Sequence, residues 1–108
     1  MDAFESAQTC HKDGHEYACG VESTRALIEL IAQREVRCVG DRLDRYGRRL
    51  VHCWVGDLDL GREMVRLGWA VSDYGKEYRQ EEGYAQQGRY GAWKGTFQRP
   101  KDWRTSKR

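Results

Sequence analysis

The sequence predicts an α+β domain, and three stretches carry that expectation. Apolar residues recur at helical spacing after Val21: Leu27, Ile28 and Ile31 form a stripe that Leu30 widens. Glu22, Arg25, Glu29 and Gln33 lie opposite, which is the pattern of an amphipathic helix over about residues 21–34. Two apolar runs follow, Val36–Gly40 and Leu50–Val55, on either side of a polar stretch that holds Tyr46-Gly47. Val, Trp and Cys at alternating positions read as strands, and the glycine between them reads as a hairpin loop. A second helical stripe, Leu60, Met64, Val65 and Leu67, is capped by Asp59 and stopped by Gly68.

The remaining segments can be placed around these three. Residues 1–20 read as irregular, with Asp13-Gly14 as a turn signal. Trp69-Ala70-Val71 reads as a short extended piece. A polar helix is expected from about Lys76 to Arg89, weakened by Gly83 and Gly88, each worth ~1 kcal/mol against Ala in a helix. Gly91-Ala92-Trp93 ends it, and the rest, with Pro100 and Trp103, reads as irregular chain packed by its aromatics.

Length and composition narrow the class. The 108 residues suit one domain. Four Trp, six Tyr and two Phe with a net charge of only +2 separate the chain from disordered sequences. The longest apolar run falls far short of the ~18 residues of a membrane span, so no membrane partner is expected. Met1-Asp2-Ala3-Phe4-Glu5 shows neither the basic nor the apolar part of a signal peptide. Collagen, coiled-coil and repeat architectures are excluded as well. Charge is uneven: residues 86–108 hold a single acid, Asp102, against seven bases. Such a tail is either a solvated terminus or a local attraction for a polyanion such as nucleic acid.

Four cysteines, Cys10, Cys19, Cys38 and Cys53, admit three readings. No Cys-x-x-Cys pair supports a zinc site, despite His11, His15 and His52. Reduced, buried thiols are the second reading. Disulfides are the favoured one. A hairpin that sets Cys38 opposite Cys53 also sets Val36 opposite Val55 and Gly40 opposite Val51, and Cys10–Cys19 would then clip the segment between them. Such bridges belong to oxidising compartments, periplasmic or secreted, which stands against the lack of a visible signal segment.

The most specific stretch is Asp44-Arg45-Tyr46-Gly47-Arg48. A turn needs the glycine but not two arginines around a tyrosine. Arginine offers a rigid fork of donors matched to phosphate oxygens, and tyrosine can donate one more hydrogen bond. An apolar strand follows, then Asp59-Leu60-Gly61, Leu67-Gly68-Trp69-Ala70, a Tyr-bearing helix, Gly91-Ala92-Trp93 and Trp103-Arg104. In that order the set resembles the thermonuclease family, the staphylococcal nuclease-like domains, over nearly the whole chain. Asp2-Ala3-Phe4-Glu5 resembles the family's Asp-x-Pro-Glu loop.

The resemblance implies an OB-fold barrel with two to three packed helices, of which the last two strands form the hairpin here. It implies calcium-dependent hydrolysis of phosphodiester bonds in DNA or RNA. A carboxylate would activate water, calcium would polarise the phosphate, and arginines would offset charge developing in the transition state. Carried onto this chain, Asp2 matches a calcium ligand and Glu5 the general base. Arg48 matches a phosphate arginine, Arg45 and Tyr46 line the phosphate pocket, and Tyr74 packs near the bound base.

The departures are specific. Phe4 stands where the family usually has proline. The other calcium-binding Asp, the other phosphate Arg and the first three strands lie upstream of this loop in the family. The expectation is therefore a domain over residues 1–104 that lacks its first three strands, followed by a basic tail, 105–108. It would hold half the catalytic set and show little nuclease activity by itself. Two alternatives stand beside it. One is a non-catalytic OB-type module binding nucleic acid through Tyr90, Trp93, Phe97, Trp103 and the bases around them. The other is a degenerate fragment completed by a homodimer or strand exchange.

Overall fold

A computed structural model describes residues 1–43, 45, 47, 49–73 and 77–107, without the side chains of Asp41, Arg49 and Leu50. The mixed α+β class holds. Strands and helices are mixed along the chain, and the described strands form three small sheets, of two, two and three strands, that do not close a barrel.

The first strand, β1 (Asp2–Ala3), runs antiparallel to β7 (Ala70–Val71), with Asp2 opposite Val71 and Ala3 opposite Ala70. The segment read as irregular contains a tight hairpin, β2 (Cys10–Lys12) and β3 (His15–Tyr17). Its two turn residues both take positive φ, Asp13 at 54° and Gly14 at 79°. An Asp-Gly pair is suited to that turn because glycine carries no Cβ and aspartate tolerates the left-handed region. A reciprocal pair of backbone hydrogen bonds, 2.9 Å each, joins His11 to Thr96.

Helix α1 spans Cys19–Ile31, close to the expected 21–34. Its inward face differs from the apolar stripe. Cys19, Gly20 and Ser23 are buried, Ala26, Leu27 and Leu30 pack against the core, and Ile28 is 63% exposed. The Cys10–Cys19 disulfide ties the first residue of α1 to β2 and so sets which face turns inward.

Strands β4 (Arg37–Leu43), β5 (Arg49–Val55) and β6 (Leu58–Asp59) form the third sheet. Cys38 faces Cys53 as expected, and the two form a disulfide with Cα atoms 4.1 Å apart. The expected Gly40–Val51 pairing does not form, because the register shifts between Val39 and Arg42, so that Arg42 faces Leu50. Such a bulge bends one strand against its partner.

Helix α2 (Leu60–Arg66) starts where the sequence places it, with the Asp59 carboxylate accepting from the Arg62 N–H at 3.2 Å. Helix α3 (Arg79–Gly88) is shorter than expected, and a 3-10 turn follows at Gly91–Lys94. A fourth helix, α4 (Pro100–Ser106), replaces the irregular chain expected there. Proline suits its first turn, where the missing N–H has no partner to lose and φ is already helical. The expected two to three helices are thus four among the described residues.

Two buried clusters share Trp69. One gathers Phe4, Cys10, Cys19 and Ala92, with Tyr17 and Phe97 against them. The other gathers Met64, Val65 and Ala70, with Ala3, Leu27, Leu30 and Tyr78 against them. Phe4, 4% exposed, meets Phe97 edge to face with ring centroids 4.9 Å apart. Where a proline would stiffen the chain through φ, Phe4 anchors it by burial.

Candidate functional site

The segment from Asp2 to Gln8 is held at several points. β1 fixes its start and Phe4 its middle. Gln8, 1% exposed, fixes its end: its side-chain amide donates to the Gln98 carbonyl at 2.7 Å, and its Oε1 accepts from the Glu5 N–H at 3.3 Å. Its backbone N–H donates to the Glu5 carbonyl at 2.8 Å, and its own carbonyl accepts from the Gly20 N–H at 3.0 Å. Gly20 lies so close that a Cβ there would sit 1.9 Å from the Glu5 carbonyl oxygen. These hydrogen bonds tie the segment at Glu5 and Gln8, as expected of a rigid loop.

On this frame two carboxylates converge on one guanidinium. Arg104 of α4 donates from Nη1 and Nη2 to the two oxygens of Asp2, at 3.2 and 3.1 Å. The same Nη1 donates to Glu5 Oε1 at 2.7 Å. Side-chain exposure is 14% for Arg104, 4% for Asp2 and 31% for Glu5. The two-pronged contact to Asp2 is the strong arginine–carboxylate geometry. Asp2 is thereby compensated inside the fold, while Glu5 keeps a face toward solvent.

Helix α4 is held in turn by Arg99, just before its first residue. Arg99 donates to Asp73 at 2.9 Å and to both oxygens of Glu82 at 3.1 and 2.9 Å. Burial alone would push the Glu82 carboxyl up, but the Arg99 guanidinium and the Ser72 N–H outweigh it and hold Glu82 below its ordinary value. Elsewhere, Tyr78 donates to Asp59. Burial first, and then that bond to a carboxylate, pushes the phenol well above its ordinary value.

Of the residues singled out from sequence, the structure brings Asp2 and Glu5 together on Arg104. Arg45 lies exposed in the turn of the β4–β5 hairpin. Tyr46, Arg48 and Tyr74 lie outside the described residues. The cysteines pair as Cys10–Cys19 and Cys38–Cys53, and there are no free cysteines. Arg104 belongs to the Trp103-Arg104 pair noted in the sequence, but no spacing signal connects a residue there to one 102 positions earlier.

The model of the family described as staphylococcal nuclease homologue matches residues 1–95. The chain belongs to that family. Helix α4 lies beyond the matched residues of the nuclease-homologue domain. The chain is also 39% identical, over 74 residues, to the succinoglycan biosynthesis protein ExoI of Rhizobium meliloti (strain 1021). That match covers 66% of this chain and 39% of ExoI, so the chain spans about two fifths of that relative's length. The two disulfides of the nuclease-homologue domain are consistent with an extracellular location. No helix among its described residues is long and apolar enough to cross a membrane.

The calcium that the family implies needs about six to eight oxygen ligands. Among the described residues no group of three or more His, Cys, Asp or Glu is placed to hold a metal ion. Both oxygens of Asp2, the expected ligand, already accept from Arg104. While Arg104 holds both Asp2 oxygens, the described donor set does not fit calcium at this position.

Proposed function

We propose that this domain engages the phosphodiester backbone of DNA or RNA, and that Glu5 is the residue on which any hydrolysis depends. The observation that carries the proposal is Glu5 itself, in a chain of the nuclease-homologue family. Its backbone is locked from both sides, its carboxylate is oriented at 2.7 Å by Arg104, and its side chain is still 31% exposed. A carboxylate so placed can take a proton from a water that attacks phosphorus. Arg45 and Arg48, with Tyr46, are the groups proposed to hold the phosphate oxygens, and Tyr74 is proposed to pack on the base.

The test is cleavage of single- and double-stranded DNA and of RNA by the full chain, beside Glu5→Gln. Removing a general base costs about 10²–10⁴-fold. The expected result is weak cleavage that Glu5→Gln abolishes while binding persists. Cleavage unchanged by Glu5→Gln would refute the assignment.

A second reading is a binding module without catalysis. The observation favouring it is that Arg104 already compensates the acidic pair. The exposed bases Arg89, Lys94, Lys101 and Lys107 would then track the phosphates. This reading expects salt-dependent binding of single strands with no turnover, and absence of binding at low salt would remove it.

A further inference from the structure

We propose that Arg104 is the resident cation of the Asp2–Glu5 site, occupying the seat that a divalent ion would need, so that the acidic pair is charge-compensated by helix α4 of the same chain. Three observations support it. The guanidinium reaches three carboxylate oxygens at 2.7–3.2 Å, spanning both acids. Arg104 and Asp2 are largely buried, so the ion pair is screened little by solvent. Helix α4 is not a loose tail: Pro100 is buried, Arg99 is tied to Asp73 and Glu82, and the Arg99 guanidinium lies 6.0 Å from the Trp93 ring centroid.

The physical consequence is competition. A hard divalent ion at Asp2 requires the same two oxygens that face Nη1 and Nη2. Guanidinium and metal therefore exclude each other, and a metal enters only when Arg104 leaves. Detaching Arg104 strands an uncompensated, 4% exposed carboxylate, a costly state in a protein interior. The docked helix thus favours its own cation over a solvent ion. The claim concerns the same site as the proposed function, yet it is read from melting rather than turnover, so either can fail without the other.

The experiment measures thermal midpoints of the full chain in millimolar calcium chloride against sodium chloride of equal ionic strength. The proteins are the wild type, Asp2→Asn, Arg104→Gln and the Asp2→Asn/Arg104→Gln pair. The wild type is expected to melt at the same temperature in both salts. Arg104→Gln is expected to melt roughly 10 °C or more lower. Calcium should recover part of that loss, and the double variant should lie closer to wild type and ignore calcium. Calcium-specific stabilisation of the wild type that Asp2→Asn removes would overturn the proposal, as would an Arg104→Gln midpoint equal to wild type. Should Arg104→Gln fail to fold, the wild-type and Asp2→Asn comparison decides by itself.

Discussion

A single methyl group at Gly20 probes how tightly the Glu5 loop is set. In Gly20→Ala the new carbon would lie 1.9 Å from the Glu5 carbonyl oxygen and 2.7 Å from that of Ser6. Both neighbours are backbone, so neither can rotate away, and the loop or the start of α1 must move by about 1 Å. Overpacking of this kind costs about 1–3 kcal/mol. Losing the 3.0 Å bond from the Gly20 N–H to the Gln8 carbonyl adds about 1 kcal/mol, and alanine's better helix propensity returns about as much. The net expectation is a loss of about 2 kcal/mol, or roughly 8–16 °C in melting temperature. The control is the same substitution at Gly83, inside α3, where a Cβ meets nothing within 4 Å. There it should stabilise by up to about 1 kcal/mol. Urea unfolding followed by tryptophan fluorescence measures both. If Gly20→Ala proves as stable as Gly83→Ala, the close packing of the loop on α1 is wrong.

The other expectations concern the disulfides and acid. Cys10 and Cys19 are fully buried, whereas Cys38 lies exposed and Cys53 half-buried. Dithiothreitol under native conditions should therefore open Cys38–Cys53 first, and thiol trapping with mass spectrometry would show the reverse order if the burial were misassigned. Removing Cys10–Cys19, nine residues apart, should cost roughly 2–3 kcal/mol through the unfolded chain. Glu82 is held below its ordinary value near 4.5 in the folded state. The unfolded chain then binds more protons in that range, so the stabilisation is present at neutral pH and is lost as pH falls through the folded value. In Arg99→Met only burial and the Ser72 N–H act on Glu82, so melting temperature should be lower at neutral pH and fall less steeply with acid than in the wild type. Superimposable limbs would contradict the Arg99–Glu82 bond.

Elements built on local pattern were legible in the sequence. Asp59 as the cap of α2, the Cys38–Cys53 hairpin and the extended piece at Ala70–Val71 each depend on residues close together in the chain. What escaped depended on distant partners or short elements. The β2–β3 hairpin has strands of three residues each, too few for alternation to register, although its Asp-Gly turn was visible. Helix α4 has seven residues, and a single helical stripe cannot be read from two turns. The face of α1 was displaced because a covalent bridge to β2, rather than the apolar stripe, decides its rotation. At the site, Asp2 and Glu5 came from the resemblance of their loop, and the structure adds what joins them. The role of Phe4 follows the same rule: a departure from the family pattern becomes intelligible only once Phe97 is seen against it.

The joining of Asp2 to Arg104 also bears on how the protein is made. Asp2 is synthesised 102 positions ahead of Arg104. While the chain is growing, β1, the hairpin and α1 can form behind an acid whose counter-ion does not yet exist. A polypeptide interrupted after residue 95 would contain every position the family model matches and still leave Asp2 uncompensated in the interior. Helix α4 thus completes this site: the ribosome must deliver it before the acidic pair can settle, and a product cut short ahead of it is poised for proteolysis rather than for work.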